Sequence, residues 1–142
     1  MRNTIIVTGH GTFASGVVSA MQMIMGPQEN VVAVDFTSAD TAAELRERFR
    51  EIYERVQAGP LLVLADLRGG SPSNMALEVS RQSRNVQIIY GANLPLLIDL
   101  VVNAERENPF HSGTIDEARE AVGLLVPSDL DPSEESEDAA WM

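Results

Sequence analysis

The sequence predicts an α/β fold: an open, doubly wound, mainly parallel sheet of four strands with helices on both faces, plus a candidate fifth strand at the C-terminal end. Three observations carry that prediction. Short β-branched or aliphatic runs alternate with longer stretches whose apolar residues recur at helical spacing. One run, Leu61-Leu-Val-Leu-Ala65, is apolar without interruption, as in a strand buried on both faces. A length of 142 residues with 44% hydrophobic content suits one domain with a sizeable core and leaves little room for a second.

Each element follows from a local pattern. Thr4 to Thr8 is the first strand. Phe13, Val17, Met21, Ile24 and Met25 then recur on one helical face, closed by Gly26-Pro27; Met21, Met23 and Met25 read most simply as core packing, with exposure of Met23 the alternative. Val31 to Phe36 is the second strand. Thr41-Ala-Ala-Glu44 is a capping box opening a helix with an apolar stripe of Ala42, Leu45, Phe49, Ile52, Tyr53 and Val56. On its solvated face, Glu44 to Arg48 and Glu51 to Arg55 have the i,i+4 spacing of ion pairs.

The third strand, 61–65, ends in Asp66-Leu-Arg-Gly-Gly-Ser-Pro72, and a helix follows from about Ser73 to Gln82. Val86 to Tyr90 is the fourth strand. Gly91-Ala-Asn-Leu-Pro95 is a turn, with Pro95 suited to the first turn of a helix that runs to about Glu105. Thr114-Ile-Asp-Glu117 is a second capping box, starting a last helix near Ile115, and Leu124-Leu-Val126 is the candidate fifth strand. Residues 1–126 therefore form the domain. Residues 127–142 carry six acids and no base, and such a segment is expected to be a disordered tail, with Trp141 idle near its end.

Composition excludes several chemistries. With 21 acidic and 10 basic residues, a net charge of −11 and 5% aromatics, the chain lacks the cationic and aromatic surfaces of a nucleic-acid binder. Every basic residue is Arg, so a Schiff-base lysine and a Walker lysine are absent. No cysteine means no disulfide or thiolate nucleophile, and two histidines alone make no His-rich metal centre, so neither a metal nor a cofactor is expected. The N-terminal apolar run is too short for a signal peptide and no run approaches a membrane span, which makes the cytoplasm the expected location.

In a doubly wound sheet, ligands sit beyond the carboxyl ends of the strands, so the loops after strands one, three and four should share a crevice. His10 stands there between Gly9 and Gly11, and the first-turn amides of the helix starting near Thr12 point at any anion held by its ring. Those are surroundings that suit a histidine accepting a phosphoryl group; a satisfied turn histidine is the plainer alternative. Asp66 could accept the Nδ1 proton of His10 and leave Nε2 as nucleophile, or merely cap its own loop. Gly69-Gly70-Ser71-Pro72 can turn successive amides into an anion nest. Gly11, Thr12, Gly70 and Ser71 are therefore the candidate phosphate-binding residues beside the candidate catalytic pair His10 and Asp66. Arg68 and Asn93 could line the same crevice or be solvated and turn-forming, and His111 reads as a surface histidine.

Taken together, Ile5-Ile-Val-Thr-Gly-His10-Gly, Glu29-Asn-Val, Asp66 with Gly69-Gly-Ser-Pro72, and Gly91-Ala-Asn-Leu-Pro95-Leu-Leu resemble, in order, the mannose-type enzyme IIA domains of the bacterial sugar phosphotransferase system. The resemblance spans most of residues 3 to about 105. It implies that His10 accepts a phosphoryl group on Nε2 from phospho-HPr and passes it to a histidine of the IIB component. It also implies that Asp66 orients the active histidine and that Ser71 lies beside the phosphoryl group. Family members are homodimers exchanging a C-terminal strand, for which Val122 to Val126 is the candidate here. Some relatives fuse IIA to IIB; the acidic tail here implies a separate IIB chain, with contact to the membrane only through the IIC and IID components, where sugar specificity lies.

Three rivals accompany that reading. A histidine phosphatase also carries His-Gly after its first strand, but with an Arg before the histidine, where this chain has Gly9. A flavodoxin-like binding module could hold a ligand phosphate on Thr8 to Thr12, although few aromatics are present to sandwich a flavin. A regulatory phosphoacceptor would take the group on His10 without onward transfer.

Overall fold

The computed structural model describes residues 2–56, 59–82 and 85–130. Four parallel strands, β1 (Thr4–His10), β2 (Val31–Phe36), β3 (Leu61–Ala65) and β4 (Val86–Ile89), form one sheet in the order β2-β1-β3-β4. Helices α1 (Phe13–Met25), α2 (Ala42–Arg55), α3 (Ser71–Ser80), α4 (Leu94–Val102) and α5 (Thr114–Glu120) connect and follow them. The predicted α/β, doubly wound architecture is the observed one. Because side chains alternate along a strand, the sheet divides the core in two. Ile5, Val7, Leu62 and Leu64 pack with α1 and α4, while Ile6, Val34, Leu61 and Val63 pack with α2 and α3. All five residues of β3 are buried, as its uninterrupted apolar run requires.

Helix ends follow local chemistry. Thr41 accepts the Glu44 amide at 3.1 Å and caps α2, while the Glu44 carboxylate accepts the Thr41 hydroxyl, at 3.1 Å, in place of the Thr41 amide that the full capping box would use. Gly26, at φ 80°, ends α1 in a conformation that a side chain would resist. The Tyr53 hydroxyl donates to the Ala76 carbonyl at 3.1 Å, tying α2 to α3, and burial pushes its pKa up.

Several expectations are corrected. β1 extends two residues further, so His10 is the last residue of the strand rather than the first beyond it. Helix α3 starts at Ser71, two residues early, because extended Gly70 serves as its N-cap and Pro72 fits the first turn. The second capping box does not form: Gly113 is the N-cap of α5, and Thr114, inside the helix, accepts the His111 amide instead. On α2, Arg48 turns from Glu44 to Asp40, at 3.1 Å, and to the Asp35 carbonyl, at 2.8 Å. Arg46 reaches Glu78 of α3 at 3.2 Å. Arg48 thus finds partners outside the helix, while the intrahelical ion pair that forms on α2 is Glu47–Arg50, three residues apart. Leu124 to Val126 is not a strand of this sheet; residues 122–126 are exposed and irregular, and Pro127–Asp129 forms a single 3-10 turn. The rest of the acidic tail, with Trp141, lies outside the described residues.

Candidate functional site

The carboxyl ends of β1 and β3 are adjacent, and there His10 meets Asp66. Register places Thr8 opposite Ala65, and the Asp66 amide extends the ladder to the Thr8 carbonyl at 3.1 Å. Asp66 is therefore next to Gly9, one residue before the histidine. Its Oδ2 accepts both the His10 amide, at 2.9 Å, and the His10 Nδ1 proton, at 2.8 Å, while Oδ1 accepts the Leu67 amide at 2.8 Å. Burial alone would raise the Asp66 pKa, but the backbone and ring bonds from His10, the Leu67 amide and the charge of the ring together hold it below the ordinary 3.8. An ionised carboxylate only accepts, so Nδ1 carries the ring proton and Nε2 keeps its lone pair.

Two glycines make the pairing possible. A Cβ on Gly9 would lie 2.6 Å from Phe13 Cδ1 and 3.0 Å from Asp66 Cβ, blocking the carboxylate from leaning over the strand. A Cβ on Gly70 would lie 2.5 Å from His10 Cε1 and 3.1 Å from Nε2. Backbone at Gly70, the N-cap of α3, thus lies directly against the nucleophilic edge of the ring. The ring also meets the edge of Phe36, with centroids 6.2 Å apart and planes at 77°. His10 is nonetheless 47% exposed, so Nε2 is reachable by another protein.

The other candidates sort themselves by their partners. Gly11, at φ 58°, donates its amide to the Phe36 carbonyl at 2.7 Å, so it shapes the turn rather than presenting a free donor. Thr12 is the N-cap of α1 and makes no side-chain capping bond. Ser71 opens α3, and its hydroxyl makes no hydrogen bond among the described residues. Gly69, at φ 84°, gives the loop its left-handed step. Arg68 is exposed and stacks on the Tyr90 ring, 5.9 Å from its centroid. Asn93 is absorbed by structure: it caps α4 through the Leu96 amide at 2.9 Å and donates to the Ala118 carbonyl at 2.9 Å.

Sequence reasoning missed Asp35 and Ser15. Asp35 stands opposite Gly9 in the register, and its carboxylate accepts the Ser15 amide, at 2.9 Å, and the Ser15 hydroxyl, at 2.6 Å. One of the first-turn amides of α1 is thereby occupied. An Asp at the end of a strand beside the His-bearing strand was the available signal, but only the strand order says which strands are neighbours.

His111, expected at the surface, is half-buried. Its Nε2 lies 3.4 Å from Asp99 and 4.0 Å from Glu117. These three residues could formally gather around a cation. However, Gly113 donates its amide to His111 Nδ1 at 3.2 Å, which leaves the proton of the neutral ring on Nε2, the nitrogen facing the carboxylates. The cluster is a polar contact between α4 and α5, in which Asp99 Oδ2 is buried without a hydrogen bond among the described residues.

Against this geometry, the sequence profile of the EIIA-man family, described as the PTS system fructose IIA component, matches residues 4–118. The chain belongs to this family. The match contains His10, Asp66 and the Gly69–Ser71 loop. The fructose-specific EIIA component of Bacillus subtilis (strain 168) is similar, with 27% identity over 69% of this chain and 68% of its own length. The mannose-specific EIIAB component of Escherichia coli (strain K12) is 28% identical over 78% of this chain, which spans only 34% of that longer protein. Among solved structures, the mannose/sorbose-specific IIA subunit from Enterococcus faecalis superposes with a TM-score of 0.81, at 26% identity, covering 92% of this chain and all of that one. The fold and the family membership thus agree. No helix among the described residues is long and apolar enough to cross a membrane.

Proposed function

We propose that this IIA component is a phosphocarrier: His10 accepts a phosphoryl group from phospho-HPr on Nε2 and gives it to a separate IIB component. The observation that carries this reading is the Asp66–Nδ1 bond of 2.8 Å, which commits the ring proton to one nitrogen and leaves the exposed one nucleophilic. In the transfer, the N–P bond of the donor's protonated phosphohistidine breaks as the bond from phosphorus to Nε2 forms. The donor's ring leaves neutral, and His10 keeps its Nδ1 proton and becomes the cationic ring, whose charge Asp66 balances. Return of the group to IIB reverses these changes. Positioning and preformed donors supply the catalysis, without covalent chemistry beyond the exchange itself. The N-cap of α3 at Gly70, with the Ser71 hydroxyl and Thr12 at the rim, receives the phosphoryl oxygens.

The open edge of the sheet supports a homodimer in the same reading. β4 is an edge strand, and a groove of about 520 Å³ runs along it, lined by Ile88, Tyr90, Leu96, Phe110 and Ile115. Close by, Val122, Leu124 and Leu125 are 77%, 88% and 84% exposed. The 122–126 segment of a second copy, added at this edge, would cover both. A monomer at micromolar concentration by light scattering would overturn that part.

The functional reading is tested by incubating the full chain with phosphoenolpyruvate, enzyme I and HPr. An acid-labile phosphoryl increment in the intact mass, passed on when a IIB protein is added, is the expected result. Uptake without onward transfer to any IIB would favour the regulatory phosphoacceptor, and no uptake from competent phospho-HPr would overturn the proposal.

A further inference from the structure

We propose that Asp35 sets the transfer potential of the phosphoryl group on His10, by placing a carboxylate on the helix end that would otherwise stabilise the phosphorylated ring. This rests on the phosphocarrier reading and concerns the equilibrium of the transfer rather than its chemistry. Asp35, Gly9 and Asp66 form one row across three neighbouring strands, with Gly9 opposite Asp35 and Asp66 continuing the ladder beyond Ala65. Neighbouring strands are about 4.8 Å apart, so the Asp35 and Asp66 Cα atoms lie on the order of 10 Å apart, with the His10-bearing strand between them. Both side chains are on the α1 face: Asp66 leans over Gly9 toward Phe13, and Asp35 bonds Ser15.

The two carboxylates have different tasks. Asp66 touches the ring and fixes its proton. Asp35 touches only α1, where it accepts the third amide of the helix, from Ser15, and the Ser15 hydroxyl. Helix α1 starts three residues after His10, and a helix N-terminus carries a partial positive charge that favours a nearby anion. A fixed carboxylate on that terminus offsets this and repels the roughly −1.5 to −2 charge of a phosphoryl group on nearby His10, which the cationic ring offsets only in part. Arg48, whose guanidinium donates to the Asp35 carbonyl at 2.8 Å, spends its charge on Asp40 and leaves the Asp35 carboxylate to Ser15. A relay needs this balance. If the phosphorylated ring were bound too favourably by its own protein, the group would be accepted and not released.

The variant Asp35→Asn separates charge from capping, because the amide oxygen still accepts the Ser15 N–H and the amide NH₂ can donate to the Ser15 hydroxyl. Full-chain wild type and variant are each equilibrated with HPr and phospho-HPr, and the four species are quantified by phosphorus resonance. The equilibrium between free species does not depend on how well the donor docks. D35N is expected to shift the partition toward the phosphorylated protein by about three- to tenfold, less at high salt, as for the loss of one charge on the neighbouring strand of a partly solvated site. Unchanged partition, or a shift toward phospho-HPr, in a D35N protein with wild-type melting would overturn the inference. Should D35N melt early, Asp35→Ser supplies a second neutral cap and the same expectation. Wild type that takes no phosphoryl group at all would overturn the phosphocarrier reading and this inference with it, a result distinct from unequal partition in a working carrier.

Discussion

His10 and His111 both stand beside an aspartate, at 2.8 and 3.4 Å, but their second ring nitrogens face opposite circumstances. At the end of β1, Nδ1 donates a hydrogen bond to Asp66 and Nε2 is left against the Gly70 backbone at the mouth of α3. Between α4 and α5, Nδ1 accepts the Gly113 amide, and Nε2 turns its proton toward Asp99 and Glu117. On the phosphocarrier reading, a His–Asp pair by itself is therefore not enough to make a phosphoryl acceptor. What distinguishes the two regions is an exposed ring nitrogen against the Gly70 backbone, compared with a half-buried ring that accepts the Gly113 amide and turns its other nitrogen toward the carboxylates of α4 and α5.

The most direct way to break this contrast is to remove each imidazole in turn. His10→Ala should abolish acid-labile phosphorylation, while His111→Ala should keep the initial rate within about twofold and lose about 1 kcal/mol of stability with its contacts. Intact mass and thermal melting read both. Loss of phosphorylation in the His111 variant with a normal melt would reverse the assignment. Next in size, Asp66→Asn should slow uptake by roughly 10²-fold or more while leaving the fold intact, since the amide can bond Nδ1 in the wrong tautomer and does not balance the cationic ring. Equal rates in a stopped transfer assay would reduce Asp66 to a loop cap.

Gly70→Ala probes the other side of the ring. The added methyl meets His10 Cε1 at 2.5 Å, so ring or loop must move; uptake should fall about tenfold and stability by about 1–3 kcal/mol. The smallest expected effect is in acid. Because the folded-state pKa of Asp66 is depressed, its contribution to stability is fully present above the unfolded value near 3.8 and is lost as pH falls through the lower folded value. Melting curves between about pH 2 and 6 should therefore show wild type losing its advantage over Asp66→Asn only at the acid end. A constant difference across that range would mean that the carboxylate bonds do not favour the native state.

Where the sequence was legible, the reason was local. The helical repeat of Phe13 to Met25, the Thr41 N-cap and the solid apolar run of 61–65 each depend on residues close to one another along the chain, and each element formed where it was expected. Both members of the His10–Asp66 pair were legible because strand ends in a doubly wound sheet share one edge. The contact at His111 was not, because its partners Asp99 and Glu117 belong to two helices whose packing the sequence does not state. The second capping box failed for a similar reason: Thr114 is buried and its hydroxyl was claimed by the His111 amide, a competition invisible to the S/T-x-x-E pattern.

By itself, then, the sequence determined the alternation of elements, the family to which the chain belongs and the identity of the residues at the carboxyl edge. Periodicity, turn residues and short motifs are written within a few positions of the chain. Only the tertiary structure decided the strand order that sets Asp35 across from Gly9, the ring nitrogen that Asp66 claims, and the amides that are already occupied. Those depend on hydrogen bonds between residues 20 to 56 positions apart, and such a bond exists only once the sheet has brought its strands into register.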